Sequence, residues 1–497
     1  MSPASPAVTT DVDVLIVGAG ISGIGAAHHL SAKRPGTTFA ILDGRHEIGG
    51  TWSLFRYPGI RSDSDMPTFG FGFRPWTHKK AIAEADVILE YLDGAVADAG
   101  LAPHIRFGHR VLSADFSSDT GTWTVTAERP GGEVVELTSR FLFSGTGYYD
   151  YAGGYTPEFR GIGDFGGTVV HPQQWPEDLD YAGKRVVIIG SGATAVTLLP
   201  SMAGTAGHVT MLQRSPSYVL AIPSEDPTAK VFNRVLGPER GHRLTRRKNV
   251  GIQRGIYKIA KRYPKAVRRL IMADAKRRLP KGYDVATHFN PRYDPWDQRL
   301  CMVPDGDFFK SIRRGDASIV TNTIDHFTEH GIVLGSGELL EADIVVTATG
   351  LNILALGGIE LSVDAEPVRL GDTTVFKSMM LSGVPNFAFA IGYTNASWTL
   401  KVDLVCEHFC RLLDHMDRTG RTTVVPVLDG EQAKLPLLDL SSGYVQRRID
   451  SFPKAGTIGP WTVKQAYEDD VARLRDGAVQ DPALHFGAPA PAEAAVV

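Results

Sequence analysis

Val14–Ala27 reads VLIVGAGISGIGAA, a short β-rich run that ends in Gly18, Gly20 and Gly23. The first glycine permits a tight turn. The second lets a pyrophosphate approach the backbone, and the third lets the following helix pack close to the strand. The N-terminus of that helix then offers unpaired N–H groups and the positive end of its dipole to phosphate. The next apolar run, Phe39–Asp43, ends in an acid about 20 residues after Gly23, where a carboxylate can accept hydrogen bonds from ribose hydroxyls. Strand, helix, second strand and acid in register favour a dinucleotide site over a glycine-rich turn.

The pattern recurs. Val186–Leu199 reads VVIIGSGATAVTLL, with Gly190, Gly192 and Ala195 in the GxGxxA form. Its second strand ends in Arg214 and Ser215 where the first fold has Asp43. An acid there would repel a 2′-phosphate, whereas Arg214 can pair with it and Ser215 can hydrogen-bond to it. The first fold is therefore read as holding FAD or NAD, and the second as holding NADP(H). Ala342–Gly350, ADIVVTATG, reads as the crossing back from the second to the first. The expected class is α/β, with two Rossmann-like dinucleotide-binding domains and a helical insert in the second. The first domain is placed at residues 1–150 and 376–497, the second at 151–222 and 299–375, and the insert at 223–298. Between the two folds lies Phe165–Pro176, FGGTVVHPQQWP, at the junction of the two cofactors.

The totals agree. A chain of 497 residues with 43% hydrophobic and 22% charged residues suits a globular protein of about three domains. A net charge of −3 gives no general attraction to nucleic acid. Cys301, Cys406 and Cys410 are too few for a disulfide framework, so a reducing cytoplasm is expected, and Cys406 and Cys410 read as packed core thiols rather than metal ligands. Met1–Thr10 lacks the positive segment of a secretion signal. The uncharged stretch Val14–Ala32 carries two histidines and the glycine spacing above, and is not read as a membrane span. Between Arg243 and Lys281, fifteen Lys and Arg face one acid, Asp274. This insert reads as a solvated helical segment that also attracts the anionic nucleotide. A sharper reading makes it a surface that touches anionic lipid, peripheral to the membrane.

Gly49–Asp65 crowds Trp52, Phe55 and Tyr57 beside Gly-Gly and Pro-Gly turns, as suits a loop around a flat ring system. With this loop the motifs converge. Phe165, Gly167, His171, Trp175 and Pro176 resemble the fingerprint of the type I Baeyer–Villiger monooxygenases. The Trp-Pro ending sets it apart from the related flavin-containing monooxygenases. Gly50, Trp52, Tyr57, Pro58, Gly59 and Asp63 resemble the family's second signature. Over nearly the whole chain, GGTWSLFRYPGIRSDSDM (Gly49–Met66), HPQQWPEDLDY (His171–Tyr181), YDPWDQRLC (Tyr293–Cys301) and GYTNASWTL (Gly392–Leu400) are similar to the subgroup of the mycobacterial ethionamide-activating monooxygenase.

The resemblance implies bound FAD, NADPH as reductant, dioxygen as co-substrate and a C4a-peroxyflavin. Ketones would give esters or lactones, and thioethers and thioamides would be S-oxygenated. Arg299 would be the active-site arginine, oriented by Asp63, a fixed positive charge for an anionic adduct. Ser22, Gly50, Thr51, Trp52, Asp63 and Val111 would contact FAD with Gly18, Gly20, Gly23 and Asp43. Arg61, Ser62, Gly190, Ser191, Gly192, Ala193, Thr194, Ala195, Arg214 and Ser215 would contact NADP. His171 and Trp175 would couple domain motion to nucleotide placement. Gln298 stands where better-known members carry Lys, which would loosen the preference for NADPH over NADH. A disulfide reductase is excluded because no cysteine precedes Cys301. A flavin-dependent S- or N-oxygenase that forms no ester stays as the alternative, and a non-catalytic flavoprotein using the basic insert is the reading from another class. The substrate is expected to be a small to medium aliphatic ketone or an organosulfur compound.

Overall fold

A computed structural model describes residues 10–298 and 300–487. The apolar run of β1 (Val12–Val17) is almost wholly buried, as a parallel strand covered on both faces must be. α1 (Ile21–Lys33) carries the chain back to β2 (Phe39–Asp43), which pairs parallel to β1 from Val14↔Phe39 to Val17↔Leu42. Only glycine fits the turn between β1 and α1. Gly18 has a φ of +102°, and a Cβ on Gly23 would stand 1.8 Å from the Gly18 carbonyl oxygen. The short helices α2 (Thr51–Leu54) and α3 (Met66–Phe69) and the longer α4 (Ala85–Asp98) follow. β3 (Ile105–Phe107) extends the edge beside β2. β4 (Arg110–Ser117), β5 (Thr122–Glu128) and β6 (Val134–Ser144) form an antiparallel meander. β6 is long because it serves two partners: its start pairs with β5, and its end runs parallel to β1 up to Val17↔Ser144.

The second unit starts inside the fingerprint, where β7 (Thr168–Val170) forms a sheet edge. β8 (Arg185–Ile189), α5 (Ala193–Met202) and β9 (His208–Gln213) repeat the strand–helix–strand pattern, and β10 (Tyr218–Ile222) follows. The insert then folds as α6 (Pro227–Leu236), α7 (Pro238–Arg262), α8 (Pro264–Arg278) and the single turn α9 (Val285–His288). Proline opens each of the first three, where its missing N–H would be unpaired anyway. β11 (Leu300–Pro304) pairs parallel to β10. After α10 (Asp307–Arg314) and β12 (Ala317–Thr321), a small antiparallel meander of β13 (Ile324–Thr328), β14 (Gly331–Leu334) and β15 (Leu339–Glu341) leads to β16 (Ile344–Thr347). The second sheet runs β12-β9-β8-β16-β7, all parallel.

The return to the first unit comes earlier than the 375/376 boundary expected from sequence. β17 (Glu360–Val363) already pairs parallel to β4, with β18 (Glu366–Pro367) outside it. A hairpin of β19 (Val375–Phe376) and β20 (Met380–Leu381) precedes β21 (Phe387–Phe389), which runs parallel to β6. α11 (Trp398–Thr419) then packs on α1, with Cys406 and Cys410 in its buried face.

The insert is anchored rather than simply solvated. Arg246 on α7 donates to the carbonyl oxygens of Pro67, Thr68 and Gly70 and reaches the buried Asp403 carboxylate at 3.3 Å. Asp403 also accepts from the Gly72 N–H at 2.9 Å and lies 3.3 Å from His29 Nε2. The basic composition of α7 thus hides one arginine that works as a structural bolt between the insert and the first unit.

Candidate active site

One cavity of about 1710 Å³ lies between the two units and is lined from both. A single small-molecule pocket is usually about 300–1,000 Å³, so this one has room for more than one ligand. On the first side its wall includes Gly20, Ser22, Gly50, Thr51, Trp52 and Asp63. On the second it includes Gly190, Ser191, Gly192, Ala193, Thr194, Arg214 and Ser215. Arg61 and Ser62 also stand on the wall. The sequence-derived candidates therefore converge, with informative exceptions.

Gly18 and Gly23 are not wall residues; they make the turn that brings Gly20 to the wall. Asp43 closes the same turn: Oδ2 accepts from the Ala19 N–H at 2.7 Å and Oδ1 from the Arg45 N–H at 2.9 Å. Each carboxylate oxygen keeps a second lone pair, so Asp43 can hold the loop and still take a hydroxyl. Val111 packs in the core beneath β4, beside a register shift at Val111–Ser113, and does not reach the cavity. Ala195 is likewise buried under α5.

The second glycine loop is held by its neighbours. A Cβ on Gly190 would meet the Ala348 carbonyl oxygen at 2.3 Å. Ser191 Oγ donates to the Ser215 carbonyl at 3.1 Å and lies 2.9 Å from Ser217 Oγ, which ties the loop to the end of β9. Arg61 is already engaged: its Nη1 donates to Asp307 Oδ2 at 2.6 Å, linking the aromatic loop to the start of α10 across the two units. Ser62 Oγ closes a local turn, donating to the Ser64 carbonyl at 2.9 Å and accepting its N–H at 3.0 Å. Arg299 lies outside the described residues, but its neighbours Gln298 and Leu300 are both wall residues.

None of Phe165, Gly167, His171, Trp175 or Pro176 lines the cavity; the fingerprint acts from behind it. Gly167 is required because a Cβ would stand 2.3 Å from the Asp343 carbonyl oxygen. His171 Nδ1 accepts from the Gln173 N–H at 3.1 Å, and Nε2 lies 3.2 Å from the Gly350 carbonyl. That pattern fixes the Nε2–H tautomer, and burial holds the pKa of His171 below its usual value. The ring thus grips the Ala348–Gly350 crossing, all three residues of which are on the wall.

Comparison with known proteins decides the family. The model for flavin-binding monooxygenase-like proteins matches residues 73–237, and one for NAD(P)-binding Rossmann-like domains matches residues 16–83. The chain is 51% identical over 481 residues to the FAD-containing monooxygenase EthA of Mycolicibacterium smegmatis, covering 96% of this chain and 98% of that one. The chain belongs to the EthA-like FAD-containing monooxygenases. It is also 49% identical to the probable FAD-binding monooxygenase AlmA of Acinetobacter sp, covering 96% of each chain. In fold it resembles the open crystal structure of cyclohexanone monooxygenase, with a TM-score of 0.75, 21% identity and coverage of 97% of this chain and 100% of that one. It similarly resembles the oxidized steroid monooxygenase bound to NADP, with a TM-score of 0.73, 20% identity and coverage of 96% and 99%.

The cavity of this EthA-like monooxygenase also rests on contacts between distant parts of the chain that the motifs do not show. Trp398 Nε1 at the start of α11 donates to Ser22 Oγ at 2.8 Å, and its ring lies 5.5 Å from that of Tyr148. Tyr57 is buried, and its phenol is pushed up to about 12, burial outweighing its hydrogen bond with Thr194. Tyr393 lines the cavity and donates to Asp470 Oδ2 at 2.7 Å; the buried Lys401 ammonium contacts the same carboxylate. Ile252 and Ile256 of α7 close another part of the wall. The clue in sequence was the density of aromatics in 392–398 and 148–155, but the partner acids lie too far along the chain to be matched.

Proposed function

We propose that this chain is an NADPH-dependent Baeyer–Villiger monooxygenase. It inserts one oxygen atom of dioxygen beside the carbonyl of aliphatic ketones, giving esters or lactones, and S-oxygenates thioethers and thioamides. The supporting observation is that Asp63 shares a wall with Gln298 and Leu300, the two neighbours of Arg299, in a cavity flanked by two glycine loops. The loops fit dinucleotides because Gly20, Gly190 and Gly192 present bare backbone to the wall, and the space a side chain would fill at Gly192 is open to a phosphate. The Gly20, Ser22, Gly50, Thr51 and Trp52 side would hold FAD, and the Ser191–Thr194, Arg214 and Ser215 side NADPH. FAD bound there, reduced by NADPH, supplies the activation of dioxygen.

The chain's own residues do the rest. Arg299 presents a positive charge that never deprotonates to the carbonyl oxygen and to the anionic adduct formed from it. Asp63 orients that guanidinium. Trp52, Tyr148 and Trp398 exclude water, which strengthens the charge stabilisation. Arg214 meets the 2′-phosphate of NADPH, and Gln298, lacking a charge, leaves that preference moderate. His171, gripping Gly350, couples the fingerprint segment to the crossing that moves with the nucleotide.

Arg299→Ala tests this reading. The expected result is ester formation from 2-octanone lowered about 100-fold or more, with NADPH still reducing the flavin. Ester formation at the wild-type rate refutes the proposed role.

A further inference from the structure

Among the described residues, nine of the sixteen exposed large apolar side chains lie between Val231 and Leu270. Val235 is 73% exposed, Leu270 70%, Tyr263 58% and Ile259 54%. Most proteins scatter such side chains singly over the surface; here they gather on three consecutive helices, α6–α8. The same helices carry most of the fifteen Lys and Arg of residues 243–281. Some of that charge is engaged within the protein: Arg246 in the bolt described above, Lys248 with Asp226, and Lys261 with Asp297. Arg247, Lys258, Lys265 and Arg269 are exposed. The whole chain carries −3, so the remainder is strongly acidic and the insert forms the positive face of a polarised molecule.

Ile252, Ile256 and Ile259 recur at helical spacing along one side of α7, and Tyr263 follows at the joint between α7 and α8. Ile252 and Ile256 stand on the cavity wall, whereas Ile259 and Tyr263 are not wall residues and are exposed. An apolar strip therefore runs from the cavity onto the surface of the insert, beside the exposed basic side chains.

We infer that α6–α8 is a docking face for an anionic lipid bilayer, and that the strip on α7 leads apolar substrate from the lipid into the cavity. Charge complementarity selects this occupant. A second copy docked through the same patch would set one positive face against another. Lys and Arg sit at the lipid phosphates while the apolar side chains enter the headgroup–acyl boundary. No helix among the described residues is long and apolar enough to cross a membrane, so the contact is peripheral. The entry route rests on the oxygenation of apolar substrates proposed above; the docking does not.

The test uses the full, flavin-loaded protein in sedimentation with vesicles of phosphatidylcholine alone or mixed with phosphatidylglycerol. Binding is expected to the mixed vesicles only, and to weaken as salt rises. The Lys258→Gln/Lys265→Gln/Arg269→Gln variant is expected to bind roughly a hundredfold more weakly. The Ile259→Ser/Tyr263→Ser/Leu270→Ser variant is also expected to lose binding. Neither variant alters the cavity wall, so both should oxidise a short water-soluble ketone as the wild type does. Equal binding to the two vesicle types, binding to neither, or a self-association that the serine variant abolishes overturns the inference. If the wild type forms no ester from the short ketone, the Baeyer–Villiger reading fails and the docking result stands on its own.

Discussion

Lys401→Met is the substitution whose cost the structure specifies most clearly. Lys401 lies on α11 with its side chain 3% exposed, and Asp470 opposite it has none of its side chain exposed. Burial pushes the Lys401 ammonium down from its usual value, and the Asp470 carboxylate opposes that push. Tyr393 donates to Asp470 Oδ2 at 2.7 Å, and Oδ1 has no hydrogen-bond partner among the described residues. Removing the ammonium leaves a buried carboxylate with one phenol to satisfy it. Breaking a buried pair from one side costs about 3–5 kcal/mol. At about 2–4 °C per kcal/mol for a unit of this size, the melting temperature should fall roughly 6–20 °C. The Lys401→Met/Asp470→Leu variant removes the stranded charge and leaves only the Tyr393 hydroxyl unpaired, at a cost of about 1–3 kcal/mol. It should therefore melt above the single variant, a sign reversal that a simple sum of two losses cannot give. Thermal unfolding of the flavin-loaded proteins followed by tryptophan fluorescence measures both. A single variant melting within a degree or two of the wild type, or a double variant below the single one, refutes the reasoning.

Three further outcomes follow from the same geometry. Gly23→Ala must move the Gly18 carbonyl, which a Cβ would approach to 1.8 Å, so the purified variant should lose its flavin absorbance; a full complement of flavin would contradict the turn's role. Arg214→Ala should raise the KM for NADPH roughly 10–100-fold and leave that for NADH unchanged, because only the phosphate contact is lost; equal changes for both nucleotides would remove Arg214 from the 2′-phosphate site. His242 and His408 are buried neutral, their pKa values held at about 4 by burial, against 6.5 unperturbed. The unfolded chain therefore takes up protons first as pH falls. Their stabilisation is whole above about pH 6.5 and is lost toward pH 4, by as much as ~3 kcal/mol each, which denaturant titrations of the wild type and His242→Gln at pH 7 and pH 5 would check.

Both nucleotide folds were legible because each is written in consecutive residues: strand, glycine turn, helix, second strand. The convergence of Arg214 and the two glycine loops on one cavity was legible through motif spacing, and the place of Asp63 beside them only through the family resemblance. What escaped was set by long-range pairing. β17 joins β4 across more than two hundred residues of chain, and nothing local in Glu360–Val363 says so. Arg246 looks like one more surface arginine in a basic run, yet it binds three carbonyls and Asp403. Arg61 stands on the cavity wall as expected of a nucleotide contact, but its ion pair with Asp307 was not foreseen, because the position of Asp307 next to the aromatic loop depends on the packing of the two units. Val111 is turned into the core by the bulge beside it, a feature that strand alternation does not reveal.

The most direct test of the whole account is the product formed from 2-octanone by the purified wild-type protein with NADPH under isotopically heavy dioxygen. The account predicts an ester that carries one heavy oxygen atom, formed as NADPH is consumed. Sulfoxide from a methyl aryl sulfide, with no ester from 2-octanone or a small panel of other ketones, would contradict the Baeyer–Villiger assignment and leave an S-oxygenase.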